Sequence, residues 1–193
     1  MKKVIIGIQG GAGSFNEQAA NKYIQTNKIA NAEIKYLYTS DKVLSELEAG
    51  KIEIGVLAVY NRRGKFVDET LAALMKHSKS DVIDMVAIKI SHHLMKRRDA
   101  EFANIKQIVA HPQVFDQCKE NLKRKYPDIG TKVLSGDLVD TARAAKALAE
   151  GELPPTTAIL GPEGLATIYG FDIVENNLQD SDNNITTFLI TSA

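Results

Sequence analysis

Several short stretches of this 193-residue chain carry residue types at spacings that chemistry can use. Residues 176–190, NNLQDSDNNITTFLI, crowd side-chain donors and acceptors against an apolar segment that reads as a strand. GGAGS at 10–14 lies between a strand and a helix, where backbone N–H groups at the positive end of a helix dipole can hold a carboxylate or phosphate. The same stretch lacks the lysine of a P-loop and the third glycine of G-x-G-x-x-G, which argues against a nucleotide, and a plain tight turn is the alternative. Arg62 and Arg63 follow a strand directly, a place where α/β proteins set ligand contacts, although paired cations also form solvated faces, as Lys96, Arg97 and Arg98 do. Gln113 and Gln117 are four apart and share a helical face beside a buried stripe, so their amides point either into a cleft or into solvent. Asn61 and Thr141 fall at element boundaries, as turn and cap residues or as ligand contacts. His92, His93 and His111 lack ligand spacing with any Cys or carboxylate set, and the adjacent pair points to opposite faces of a strand, so no metal is expected. Cys118 lies on an apolar helical stripe and reads as a core thiol.

The elements that must position these residues alternate. Apolar runs of five to seven residues are separated by helical patterns of ten to fifteen, the mark of βα units on largely parallel sheets, and the fold class is α/β. VIIGIQ (4–9), EIKYLY (33–38) and EIGVLAV (53–59) read as strands. Ser14 with Glu17 forms a capping box, and Ser40 or Asp41 caps the next helix. Phe66, Thr70, Leu71, Leu74 and Met75 share one helical face, and DMVAIKISHHLM (84–95) reads as one long strand that crosses between lobes. Beyond it, Pro112 opens a helix, Asp137 is the expected cap of the alanine-rich DTARAAKALAE, and TTFLIT (186–191) is the last strand.

Bulk composition narrows the partners. The chain is 44% hydrophobic and 25% charged with Lys+Arg equal to Asp+Glu, so it carries no whole-molecule footprint for nucleic acid or a membrane surface. One cysteine excludes an internal disulfide, and no apolar run approaches the roughly 18 to 20 residues of a membrane span. The opening apolar run lacks a signal-peptide core, so the expected location is the cytoplasm and the expected ligand is small.

Five segments, in this order, resemble the catalytic domain of prephenate dehydratase: GGAGSF (10–15), GVLAVYNRRG (55–64), HPQVFDQC (111–118), DTARAA (140–145) and NLQDSDNNITTF (177–188). The resemblance implies two α/β lobes with a cleft between them, like type II periplasmic binding proteins, the first lobe at 1–78 plus 175–193 and the second at 79–174; many family members add a C-terminal regulatory domain that binds phenylalanine, and because the sequence stops a few residues after the last strand, neither that domain nor control by phenylalanine is expected within these residues. It implies a homodimer, a small dicarboxylate substrate and no cofactor. The family reaction takes prephenate to phenylpyruvate, water and carbon dioxide, and its threonine donor corresponds to Thr186. Substrate contacts are implied at Ser14, Asn61, Arg62, Gln113, Gln117, Thr141 and Phe188, with Asn177, Gln179, Asp180 and Asn184 fixing the loop that presents Thr186.

The chain departs from the family pattern at defined positions. Thr187 stands where the family's Thr-Arg-Phe has arginine, Tyr60 and Arg62 flank Asn61 in place of glutamate and serine, and Ala58 replaces a proline. Ala110 and Asp140 replace serines, and Gly11 replaces the proline of the first loop. Arg62 or Arg63 is the expected source of the missing charge. Two other outcomes fit the altered motifs: decarboxylation of prephenate with retention of its hydroxyl, and a non-catalytic module that binds a small carboxylate.

Overall fold

The structure, a computed structural model, describes residues 3–193. In chain order its elements are β1 (Val4–Ile8), α1 (Phe15–Thr26), β2 (Ala32–Tyr36), α2 (Ser40–Glu48), β3 (Ile54–Asn61), β4 (Lys65–Phe66), α3 (Asp68–Lys76), β5 (Asp81–Lys89) and β6 (His93–Arg97). They continue with β7 (Gln107–Val109), α4 (Pro112–Lys125), β8 (Gly130–Lys132), α5 (Thr141–Ala149), β9 (Thr157–Gly161), α6 (Gly164–Tyr169), β10 (Phe171–Glu175) and β11 (Ile185–Ser192). Contacts divide the chain into two compact units. One holds the chain up to Gly11, Phe15–Lys89 and Ile185–Ala193, and the other holds Ala12–Ser14 and Ile90–Asn184.

The first unit is a sheet of order β2-β1-β3-β11-β5, with β4 folded back on β3. β1 pairs in parallel with β2 and β3, whereas β11 runs antiparallel to both β3 and β5. The sheet is therefore mixed rather than largely parallel, because the last strand of the chain enters between two earlier ones. On α2, Val43, Leu44 and Leu47 lie on one face and pack with Leu37, Ile52, Leu57 and Ala73. Each such side chain contributes about 1.5–3 kcal/mol when fully buried. The cap of α2 is Thr39, whose hydroxyl accepts from Lys42 N at 3.2 Å, and not Ser40 or Asp41. Ser40 is drawn into the core instead, where its Oγ lies 2.9 Å from Thr70 Oγ1.

Two further expectations change here. Phe66 belongs to β4 and sets its ring edge-on to Tyr60 at 5.2 Å, so it is not on the helix that begins at Asp68, and Met75 on that helix is exposed. The long strand expected over 84–95 is two strands in two sheets, interrupted between Lys89 and His93.

The second unit is a sheet of order β10-β6-β9-β7-β8, parallel at β7 and antiparallel at β6. Neighbouring strand residues face opposite sides, and both sides are covered. Met95, Val109 and Ile159 pack on the alanines of α5 and on Leu165, while Leu94, Ile108 and Leu160 pack on Cys118 and Leu122 of α4. Double coverage explains why these strands read as unbroken apolar runs. Asp140, not Asp137, caps α5, its carboxylate accepting from Arg143 N at 2.9 Å, while Asp137 sits in the preceding 3₁₀ turn.

Candidate functional site

Asn61 ends β3, opposite Thr186 of β11 in the sheet register. Its Oδ1 accepts from the backbone N–H groups of Arg63, at 2.9 Å, and Gly64, at 2.7 Å, which makes the β3–β4 turn an Asx turn. With the carbonyl end committed to two donors, the amide can face only one way, and Nδ2 donates to Thr186 Oγ1 at 2.8 Å. The threonine oxygen is thereby used as an acceptor, and its own proton is the group left to donate elsewhere. Asn61 is 3% and Thr186 is 7% exposed, so this pair lies where a hydrogen bond is stronger than in water.

Arg62 and Arg63 occupy the turn that Asn61 holds, and both are exposed. Arg62 N donates to Ile185 O at 2.9 Å, which ties the turn to the residue before Thr186. Thr187 pairs with Tyr60 and with Ala87 and is half-buried. Phe188, only 1% exposed, is among the largest fully buried side chains of the chain.

A different polar group is built in the second unit. His111 caps α4, its Nδ1 accepting from Gln113 N at 3.2 Å, while its own backbone N–H donates to Thr141 Oγ1 at 3.1 Å. The first turns of α4 and α5 are thus joined. Partial desolvation lowers the pKa of the otherwise exposed His111 against the opposing Asp140 carboxylate, and burial raises Asp140 against the backbone N–H groups of Arg143 and Ala142. Gly161 makes room for this junction, since a Cβ there would meet Thr141 Cγ2 at 2.8 Å. Ser14 is half-buried and follows Gly13, whose φ of +80° and a Leu165 Cδ2 that would lie 2.8 Å from a Cβ both require glycine.

Gln117 does not join Gln113. It is buried, and its Oε1 accepts from Asn184 Nδ2 at 2.6 Å and lies 2.8 Å from His92 Nε2. Because Oε1 only accepts, the His92 ring carries its proton on Nε2. Desolvation pushes the pKa of His92 down to about 4, so the ring is neutral near pH 7. The same segment is anchored further: Gln179 Oε1 accepts from His92 N at 2.9 Å, Leu178 N donates to His92 O at 2.8 Å, and Asp180 accepts from Asn121 N at 2.9 Å. Gln179, Asp180 and Asn184 therefore fix this segment within the second unit, and Asn177 takes a left-handed turn with φ 54°. Sequence reasoning did not single out His92 as the centre of a buried network, and its only signal was a histidine inside an apolar run. Among the described residues no group of three or more His, Cys, Asp or Glu is arranged to hold a metal ion, and no helix is long and apolar enough to cross a membrane.

The family model for prephenate dehydratase matches residues 6–193. The bifunctional chorismate mutase/prephenate dehydratase of Buchnera aphidicola subsp. Acyrthosiphon pisum is 31% identical over 183 residues, which cover 94% of this chain and 45% of that protein. Arogenate dehydratase/prephenate dehydratase 1 of Arabidopsis thaliana is 29% identical over 188 residues, 97% of this chain and 45% of the relative. The chain thus spans about half the length of the curated relatives it matches. The solved prephenate dehydratase from Arthrobacter aurescens, in complex with L-Phe, superposes with a TM-score of 0.84 at 23% identity, covering 98% of this chain and 60% of that one. The α/β fold expected from the sequence is the fold shared with that structure.

Proposed function

Because this chain belongs to the prephenate dehydratase family, we propose that it is a carbon–oxygen lyase that converts prephenate to phenylpyruvate, water and carbon dioxide in phenylalanine biosynthesis. In this reaction the C–C bond to the ring carboxylate breaks, its electrons aromatise the ring, and the ring C–O bond breaks as the hydroxyl leaves. Hydroxide is a poor leaving group, and a positioned donor that makes it leave as water is the main thing the protein must supply. The observation that supports this reading is the Asn61–Thr186 hydrogen bond of 2.8 Å, because it occupies the threonine oxygen as an acceptor and leaves its proton to donate.

Arg62 and Arg63 stand in for the arginine that Thr187 replaces, as the cations for a substrate carboxylate. Arg62→Ala or Arg63→Ala is expected to lower kcat/KM for prephenate by about ten- to a hundredfold, the worth of one charge-assisted contact. Adding Thr187→Arg to the weaker variant is expected to recover part of the loss. Unchanged kcat/KM in both arginine variants would exclude them from the site. In the second unit, Ser14, Gln113 and Thr141 are the proposed substrate contacts, whereas Gln117 and Phe188 serve internal packing and hydrogen bonding.

Asp140 favours a second reading of the substrate. Where the family has serine, this chain keeps an acceptor-only carboxylate one residue from Thr141, which repels a substrate anion and attracts an ammonium group. Arogenate, named among the relatives, differs from prephenate in carrying an amine in place of the side-chain ketone. The deciding experiment mixes the purified chain with each acid at neutral pH and identifies products by NMR against an enzyme-free control. Phenylpyruvate from prephenate above the control supports the first reading, and phenylalanine formed preferentially from arogenate supports the second. Under the second, Asp140→Ser shifts the kcat/KM ratio toward prephenate by about tenfold or more. A non-aromatic hydroxylated product would mean decarboxylation without loss of water, and no turnover of either acid would leave a binding module.

A further inference from the structure

The stretch KHSKS at 76–80 closes α3 and leads into β5. Cations in a last helical turn complement the helix dipole, and the exposed Lys76 fits that simple role. His77 does not. Its side chain is only 10% exposed and lies between two carboxylates of α2, Asp41 in the first turn and Glu48 at the last residue. Seven residues make about two helical turns, so both carboxylates lie on one face of α2 and a single ring spans them.

His77 Nδ1 lies 2.9 Å from Glu48 Oε2, and Nε2 lies 3.1 Å from Asp41 Oδ1. An ionised carboxylate accepts and cannot donate, so the ring satisfies both partners only when both nitrogens carry protons, as the imidazolium. Lys76 Nζ also donates to Asp41 Oδ1, at 2.6 Å, and Glu48 Oε1 accepts from Lys79 N at 3.2 Å. Asp41, Glu48, Lys76 and Lys79 are the charged groups around the ring, and of this set only His77 changes charge near neutral pH. The start of α3 is fastened differently, by Glu69 Oε1 accepting from Ser40 N at 2.8 Å and Thr70 Oγ1 donating to Ala58 O at 2.6 Å.

We propose that His77 is a pH-operated clasp: as the imidazolium it ties the end of α3, and the connection into β5, to both ends of α2, and loss of its proton frees that end while the start of α3 stays attached. A neutral ring has one N–H, so one of the two carboxylates is then left facing a lone pair. Glu48, and after it Asp41, hold the His77 pKa above the usual histidine range against partial desolvation. Below about 6.5 the ring is charged in the folded and unfolded chains alike, and the clasp contributes fully. As the pH rises from there through the raised folded value, the folded chain keeps a proton that the unfolded chain has lost, and the contribution disappears. The clasp lies within the first unit and does not depend on which acid the chain turns over.

NMR titration of the histidine rings, with His77 assigned by the resonance missing from His77→Gln, reads the proton directly. The His77 midpoint is expected above about 6.5 and is expected to fall in the double variant Asp41→Asn with Glu48→Gln. Hydrogen exchange reads the clasp itself. Between pH 6 and pH 8 the protection factor of the amide that closes the last turn of α3, His77 N to Ala73 O, is expected to drop about threefold or more. The Leu71 amide, bonded to Val67 O in the first turn, is expected to keep its protection. In His77→Gln the protection of the last turn is expected to be low at both pH values, and should that variant fail to fold, the parent's titration and exchange decide. A His77 ring that titrates at or below about 6.5, or a last turn equally protected at both pH values in the parent, would overturn the proposal.

Discussion

Thr186→Ala is expected to lower the rate of dehydration by about a hundredfold or more, the usual worth of a positioned proton donor. The substitution also removes the acceptor of Asn61 Nδ2, a buried donor held in place by Arg63 N and Gly64 N on its other end. An orphaned buried N–H costs about 1–3 kcal/mol, so the variant is expected to be less stable while still folded, and kcat must be read below its unfolding range. Thr186→Ser keeps both the acceptor for Asn61 and a hydroxyl proton to donate, and its rate is expected within about tenfold of the parent. Comparison of the two by single-turnover kinetics and urea unfolding separates catalysis from support. A Thr186→Ala protein that kept more than about a tenth of the rate would remove Thr186 from the chemistry.

Acid is expected to weaken the second unit through His92. The buried ring, 2% exposed, has its pKa pushed down to about 4, against about 6.5 for an exposed histidine. Between these values the unfolded chain binds a proton that the folded chain does not. Stability therefore rises with pH across that window and falls as the solution is acidified from about 6.5 to about 4, with no further loss from this group below it. The depression corresponds to a loss on the order of 3 kcal/mol, a large share of a typical domain's stability. Asp140, whose pKa burial raises, acts in the opposite direction, since on acidification its folded form takes up a proton before the unfolded chain does. Urea unfolding of the parent and of His92→Gln near pH 7 and near pH 4.5 isolates the histidine: the variant, lacking the titrating ring, is expected to lose much less. Parallel losses in the two proteins would show that His92 is not the acid-sensitive group.

Much of the fold was legible because its signals are local. Apolar periodicity located most strands and helices within one or two residues, and Pro112 marked the start of α4 because its fixed φ and missing N–H suit that position. Caps were less legible. Thr39, Ser40 and Asp41 are all capping residue types, and the choice fell to Thr39 only because Thr70 draws Ser40 inward. Phe66 fitted a helical stripe by spacing, but the Asx turn at Asn61 folds it back against Tyr60. Thr186 was reached through resemblance alone, since a threonine at the start of a strand has no distinctive local pattern.

What the sequence by itself determined is the α/β class, the family, and the polar and basic residues from which a site can be made, because composition, periodicity and motif order are properties of short segments. Only the tertiary structure decided which of them act together. Asn61 and Thr186 are 125 residues apart, and they meet because β11 returns to pair with β3 in one register. A shift of one residue would have turned Thr186 to the other face of the sheet. Gln117, by contrast, was drawn inward by His92 and Asn184, partners 25 and 67 residues away. Such choices depend on burial and hydrogen-bond competition summed over distant elements, and no local spacing encodes them.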